Sequence, residues 1–248
     1  MSVFSKLFSS ATNAQAADYG ILVTDFHSHL IPGIDDGSKT IAESLELIGQ
    51  FAGLGYTKLI TTPHIQDEFY RNTPEIILNG LAELRQAVAK AGLNIQLEAA
   101  AEYLIDDGLE KKIKEGGLLT FGQKHILVEM SYYMEHPNLK SILFQLQIEG
   151  YKIIMAHPER YSYWDTKWDR FTELKERGIF FQLNTVSVSG YYGPSVKKMA
   201  EHFINTGLYD FMGSDVHNQD YMNALQKSRF EKSIGKLIAS GKLMNSIL

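Results

Sequence analysis

The 248-residue chain contains no cysteine. Disulfides, thiolate zinc sites and every mechanism built on a thiolate nucleophile are therefore closed to it. Any metal ion would have to be held by His, Asp, Glu and other oxygen donors. The chain also lacks a Lys/Arg run. Its 24 basic residues face 29 acidic ones, for a net charge of -5, which argues against a general nucleic-acid binder. No apolar run approaches the ~20 residues of a membrane span. At the N-terminus, Ala14-Gln15-Ala16 has the form of a cleavage site, but Ser5 and Lys6 interrupt Val3-Phe4 and Leu7-Phe8. Without a continuous apolar segment a cleaved signal peptide is not expected, and residues 1–19 read as a flexible or loosely docked extension.

What the chain does have is alternation. Short apolar runs at 21–26, 58–62, 95–101, 126–130, 153–156, 180–183 and 210–212 have the character of strands buried on both faces. Helical patterns lie between them. Thr40-Ile41-Ala42-Glu43 has the capping-box form and opens a helix over 41–54, with Ile41, Leu45, Ile48 and Ala52 on one face. Thr73-Pro74 opens a second, running to Ala91-Gly92, and weaker patterns follow at 109–114, 138–149, 168–177, 195–206 and 222–240. With seven βα units and no Pro/Gly/Ser-rich linker, residues 20–248 are expected to form a single α/β domain. A closed or nearly closed barrel is favoured over an open doubly wound sheet.

The polar residues fall in register with those runs. Asp25, His27 and His29 end the first, His64 follows the second, and Glu102 and Glu129 end the third and fourth. His157 ends the fifth, Asn184 the sixth, and Asp215 with His217 the seventh. In a parallel barrel every strand C-terminus opens on one face, so residues nearly two hundred positions apart would converge there. His-X-His alone is equally compatible with two solvated side chains, because alternate strand residues simply share a face. Glu102 and Glu129 say more: each directly follows an apolar strand, where an unpaired carboxylate is costly and a cation would remove the cost. Mixed His and carboxylate donors suit Mn²⁺, Fe²⁺ or Zn²⁺ better than calcium. Asp35-Asp36-Gly37, in the first βα loop, reads equally as a turn or as a further oxygen ligand. His125, preceding its strand, and His202, within a helix, are expected to be structural or solvent-exposed; His136 lies in a loop on the mouth side.

These segments, in order, carry a resemblance. Asp25-Phe-His-Ser-His29, Pro32-Gly-Ile-Asp-Asp-Gly37, Thr61-Thr-Pro-His64, Ala156-His-Pro-Glu-Arg160 and Ser214-Asp-Val-His217 resemble the polymerase-and-histidinol-phosphatase (PHP) superfamily. More narrowly, they look like the bacterial manganese-dependent protein tyrosine phosphatases of capsule and exopolysaccharide loci. The resemblance spans about residues 20–240. It implies a distorted TIM-like (β/α)7 barrel holding up to three divalent ions, manganese first, with iron or zinc as alternatives. The implied ligands are His27, His29, Asp36, His64, Glu102, Glu129, His157, Asp215 and His217, with Asp35 the alternative to Asp36. Glu102 would bridge ions, Glu98 being a deeper substitute, and Arg160 would bind phosphate and serve catalysis. Relatives can carry a second arginine shortly after the last Asp-X-His. Here Asn218-Gln-Asp-Tyr-Met-Asn follows, the next arginine is Arg229, and Arg71 is offered as the substitute substrate-binding group.

The implied reaction is in-line attack of a metal-bound hydroxide on phosphotyrosine, whose leaving group has a pKa of ~10. The implied substrate is a phosphotyrosyl protein, in particular a bacterial tyrosine autokinase of capsule biosynthesis, in the cytoplasm, with no nucleic-acid partner. Phe69, Tyr70, Tyr132, Tyr133, Tyr191 and Tyr192 are candidates to pack on the substrate ring or on the barrel rim. A PHP phosphatase of histidinol phosphate or a sugar phosphate, and a metal-binding regulator without catalysis, are the competing readings.

Overall fold

A computed structural model of the chain describes residues 15–248. Its strands, in chain order, are β1 (Thr24–Asp25), β2 (Lys58–Thr61), β3 (His64–Ile65), β4 (Gln96–Ala99), β5 (Glu102–Leu104), β6 (His125–Glu129), β7 (Lys152–Ala156), β8 (Phe180–Asn184) and β9 (Phe211–Gly213). Among them run α1 (Ile41–Gly53), α2 (Pro74–Lys90), α3 (Asp107–Glu115), α4 (Leu139–Ile148), α5 (Trp168–Glu176), α6 (Pro194–Thr206), α7 (Gln219–Ser228) and α8 (Lys232–Ala239). Every ladder is parallel. The strands form a three-stranded sheet ordered β1-β2-β4 and a six-stranded one ordered β3-β5-β6-β7-β8-β9.

The two sheets follow one another through a break. Thr62-Pro63 separates β2 from β3, and Ala100-Ala101 separates β4 from β5. Proline cannot donate to a ladder, so the pairing is interrupted there. Ala100 still donates to the Thr61 carbonyl (2.9 Å) and Glu102 to that of Pro63 (3.1 Å), carrying the chain across the gap. Two of the seven expected strands, at 58–62 and 95–101, are thus each followed across a break by a further short strand, β3 and β5. β1 and β9 share no ladder. They meet through an isolated parallel bridge, Ser28 with Val216, where Asp215 N–H donates to the His27 carbonyl (2.7 Å) and His29 N–H to that of Val216 (2.9 Å). At the opposite end the buried Asn245 amide fills the seam, donating to the carbonyls of Thr24 (3.0 Å) and Met212 (2.6 Å) and accepting from Met212 N–H (3.0 Å).

Other boundaries shift for local reasons. The first expected strand shrinks because a 3₁₀ turn occupies Tyr19–Leu22 and Val23 adopts φ 65°. The expected helix over 222–240 is two helices, α7 and α8. Thr40 caps α1 by accepting from Glu43 N–H, while the Glu43 carboxylate takes Lys39 N–H (2.8 Å). Of the expected extension, residues 1–14 lie outside the described residues. Residues 15–19 need correction: Tyr19 is fully buried and Ala17 N–H donates to the Arg229 carbonyl (2.8 Å), so this segment is part of the packed domain. Among the described residues no helix is long and apolar enough to cross a membrane.

The core explains where the site sits. Strand residues alternate between two clusters: Ile126, Val128, Ile153 and Met155 pack outward with α1, α2, α4, α5 and α6, while Phe26, Ile60, Leu127, Ile154, Ala156 and Phe211 pack inward. Period-two alternation places Glu129 on the inward face, one step beyond Leu127. The inner column is therefore apolar below and ends in a carboxylate above.

Candidate metal centre

Eight of the nine implied ligands fall into three groups whose donor atoms lie within 4.8 Å of one another: His29, Asp36, His64 and His217; His27, His29, Glu102 and Asp215; and His64, Glu102 and Glu129. The groups share members, with Glu102 common to two. At the centre, Glu102 Oε2 lies 3.2 Å from His27 Nε2, 3.5 Å from His29 Nε2 and 3.2 Å from His64 Nδ1. All four atoms are buried and none has a hydrogen-bond partner. Buried polar atoms are almost always paired, so four orphans aimed at one point fit a site built for cations. The ninth residue, His157, stands beside these groups, its Nε2 3.1 Å from Glu102 Oε1 and 3.9 Å from Glu129 Oε2.

Charge holds the cluster together. Burial disfavours the His27 imidazolium, yet Glu102 and Asp215 outweigh it and push its pKa up to about 10. Burial also opposes ionisation of Glu102 and Asp215, but His27 and the neighbouring histidines hold both carboxyls well below the usual range. The backbone is bent to the same end. His157 (φ 34°) and Asp215 (φ 55°) occupy the left-handed region that non-glycine residues seldom adopt.

A layer of polar groups stands behind the cluster: Asp25, Asp35 and Asn184 are among the residues singled out in the sequence, Gln66 and Gln182 are not. Asp35 accepts from His29 Nδ1 (2.8 Å), His64 N–H (3.1 Å) and Gly37 N–H (2.9 Å). The Asp-Asp-Gly loop is thus both turn and site. Asp36 Oδ1 faces the cluster, 3.5 Å from the Nε2 atoms of His64 and His217, while Asp35 orients His29 from behind. A side chain at Gly37 would come within 2.2 Å of the His29 carbonyl, so the loop closes only with glycine there. Gln182, fully buried, does for His27 what Asp35 does for His29: its Oε1 accepts from His27 Nδ1 (2.9 Å) and from His157 N–H (3.3 Å). With Nδ1 donating, each ring turns Nε2 toward the cluster. Asn184 donates to Asp215 Oδ2 (2.7 Å), and Gln66 to Glu129 Oε1 (2.8 Å). Buried Asp25 ties the first and last strands together by accepting from Ser214 N–H (2.8 Å) and Oγ (3.0 Å); burial raises its pKa to about 7 against those bonds. Asp25 and Asn184 were legible as strand-end polar residues and Asp35 as the neighbour of Asp36; nothing in the sequence marks Gln66 or Gln182.

Arg160 reaches the cluster. Its guanidinium donates to Asp215 Oδ2 (3.0 Å) and is sandwiched between the rings of Tyr132 and Tyr192, 4.4 and 4.1 Å from their centroids. Arg71 does not. It is exposed, donates to its own turn at the Asp67 carbonyl (2.7 Å), and lines a cleft with Asp67, Asn72, Thr73 and Lys112 that none of the nine residues borders. Arg229 is held at Ala17. Tyr70 stacks on His64 (5.4 Å, 13°) and Tyr221 packs on His217 (4.9 Å), whereas Phe69 and Tyr133 project into solvent. Glu98 pairs with Lys58 (2.8 Å), His136 lies near Asp107 (3.4 Å), and His202 packs on Trp168 (4.2 Å), all outside the cluster.

Known proteins resemble this chain in sequence and fold. The tyrosine-protein phosphatase YwqE of Bacillus subtilis is 27% identical over 195 residues, covering 78% of this chain and 77% of its own. The tyrosine-protein phosphatase CpsB of Streptococcus agalactiae is 28% identical over 203 residues, 79% of this chain and 83% of its own. Among solved structures, those of YwqE from B. subtilis and CpsB from Streptococcus pneumoniae, described as metal-dependent tyrosine phosphatases, match with a TM-score of 0.79 at 26% identity, covering 87% of this chain and 90% of the other. The family model for capsular polysaccharide synthesis, CpsB/CapC, matches residues 23–236, and the chain belongs to that family.

Proposed function

We infer that this chain is a metal-dependent phosphatase that hydrolyses phosphotyrosine in protein substrates. The observation that carries the reading is the convergence of three unpaired imidazole nitrogens on the unpaired Oε2 of Glu102, with Arg160 at the edge of the same cluster. The ions would be held by His27, His29, Asp36, His64, Glu102, Glu129, His157, Asp215 and His217, and the three overlapping donor groups support up to three of them. Manganese is the first choice, on the resemblance. Divalent ions in such a site act as Lewis acids and make a nucleophile available from water at neutral pH. The substrate side falls to Arg160. Its permanent charge and planar fork suit a phosphoryl group, and Asp215, Tyr132 and Tyr192 fix its orientation. The leaving phenol, with a pKa of ~10, departs with little proton assistance.

The finer readings go with this one. The order β1, β2/β3, β4/β5, β6, β7, β8, β9, with the Ser28–Val216 bridge, supports a distorted (β/α)7 barrel in one domain. The resemblance supports a cytoplasmic tyrosine autokinase of capsule biosynthesis as the phosphoprotein. Chelation followed by Mn²⁺ add-back, with a phosphotyrosyl peptide and histidinol phosphate as parallel substrates, tests the reading. Peptide turnover is expected to vanish and return. Preference for histidinol phosphate, or no turnover in either state, overturns it. Arg160→Ala is expected to keep its metal and lose rate about a hundred- to a thousand-fold; full activity would remove its assigned role.

A further inference from the structure

With Arg71 and Arg229 both held away from the cluster, Arg160 has no arginine partner for a phosphoryl group. Metal ions would take part of a phosphoryl group's oxygen contacts, and on the side facing Arg160 a single guanidinium fork, one of whose donors already serves Asp215, leaves room for a further donor. The hydroxyls around Arg160 differ in how far they are committed. Tyr192 donates to Asp215 Oδ2 (3.3 Å) and accepts from Asn184 Nδ2 (3.1 Å). Tyr161 donates to the Ala156 carbonyl (2.9 Å) and accepts from Met130 N–H (3.0 Å). Tyr163 donates to the Ser131 carbonyl (3.0 Å). Tyr221 also lies near Arg160, but it packs on His217 (4.9 Å) and not on the guanidinium; Tyr132 differs from all of these. Its ring is held between Arg160 (4.4 Å) and Tyr161 (6.1 Å), but its hydroxyl has one polar neighbour, His157 Nε2, at a loose 3.4 Å. That nitrogen faces Glu102 and Glu129 and belongs to a proposed ligand. A ligating nitrogen has no lone pair left to accept a hydrogen bond.

We propose that Tyr132 is the second phosphate-binding group of this site: its hydroxyl donates to a phosphoryl oxygen beside Arg160. The ring and the hydroxyl have separate tasks, the ring fixing the Arg160 plane and the hydroxyl contacting substrate. The inference rests on the phosphatase reading above, but phosphate binding tests it independently of turnover.

The test uses the Mn²⁺-loaded full-length protein, titrated calorimetrically with inorganic phosphate, alongside metal analysis and kinetics on a phosphotyrosyl peptide. Tyr132→Phe keeps the ring and is expected to retain full metal content while binding phosphate about ten- to a hundred-fold more weakly, the usual cost of a lost hydrogen bond to a charged group. kcat/KM should fall by a similar factor. Tyr132→Leu, which also frees the guanidinium, should lose more. Phosphate affinity unchanged in Tyr132→Phe overturns the proposal, as does weakened binding accompanied by metal loss, which would place the hydroxyl's role at His157. If wild-type protein binds phosphate but does not turn over the peptide, the substrate reading fails while the Tyr132 result still decides this one.

Discussion

The two ends of the strand assembly hold histidines in opposite states. At the lower end, His125 opens β6, buried among the rings of Phe121, Phe180 and Phe211 at 5.9–6.1 Å. Its Nδ1 has no hydrogen-bond partner, and burial together with Lys152 holds its pKa below the usual value, so it is neutral. At the upper end, His27 directly follows Phe26 of the inner apolar cluster and is also buried, yet Glu102 and Asp215 push its pKa up to about 10. The side chain is the same and both rings are buried, His27 the more completely. What differs is the company: aromatic rings below, carboxylates above. An orphaned nitrogen is inert in the first setting and, among carboxylates and other orphaned nitrogens, marks a cation site in the second.

Breaking the upper end should have the largest consequence. His27→Ala removes a donor from the most enclosed group and is expected to strip metal and lower peptide turnover by about a thousand-fold or more, read by metal analysis and steady-state kinetics. Retained metal with full turnover would remove His27 from the site. Proton competition sharpens the contrast next. The folded pKa of His27, about 10, lies above its unfolded value of 6.5. In the metal-free protein its ion pairs therefore stabilise fully below pH 6.5, and that contribution is lost as pH rises toward 10. An ion must displace the same proton, so Mn²⁺ affinity should rise with pH across this window by up to about tenfold per unit for each proton released, measurable by calorimetry in buffers of different ionisation enthalpy. An affinity flat from pH 6.5 to 10 would show that His27 carries no proton.

A smaller effect is expected one layer back. Gln182→Ala leaves His27 Nδ1 without its acceptor and should weaken metal binding about ten- to a hundred-fold with the fold intact. The smallest is at the lower end. His125→Phe puts a ring of similar size among rings and removes the orphaned nitrogen, so thermal unfolding should shift by less than about 1.5 kcal/mol in free energy, with metal content unchanged. Metal loss in that variant would mean the two ends are coupled.

Much of the site was legible because each implied ligand directly follows or ends an apolar run, and strand ends are where parallel topology gathers residues. The supporting layer was less legible. Asn184 stands in the strand-end register, but Gln182, two residues earlier, looks in sequence like an ordinary polar residue; only the packing of β7 and β9 against β8 makes the two partners of His27, His157 and Asp215. Arg71 shows the reverse failure. Its loop follows a ligand-bearing strand, but a bond to its own turn carries it to another cleft. The short strands β3 and β5, beyond Thr62-Pro63 and Ala100-Ala101, were not legible either, because a hydrophobic run does not report backbone pairing that resumes past its end.

Composition and periodicity, then, determined the α/β class, the exclusion of thiolate chemistry and the set of residues at the strand ends, since each is a property of local order along the chain. The tertiary structure alone decided which donors share a point in space, which aspartate of the pair at 35 and 36 faces the cluster and which stands behind it, and which histidine is charged. Those are set by distances between segments as far apart in sequence as His27 and Asp215, and by whether the nearest buried neighbour is a ring or a carboxylate.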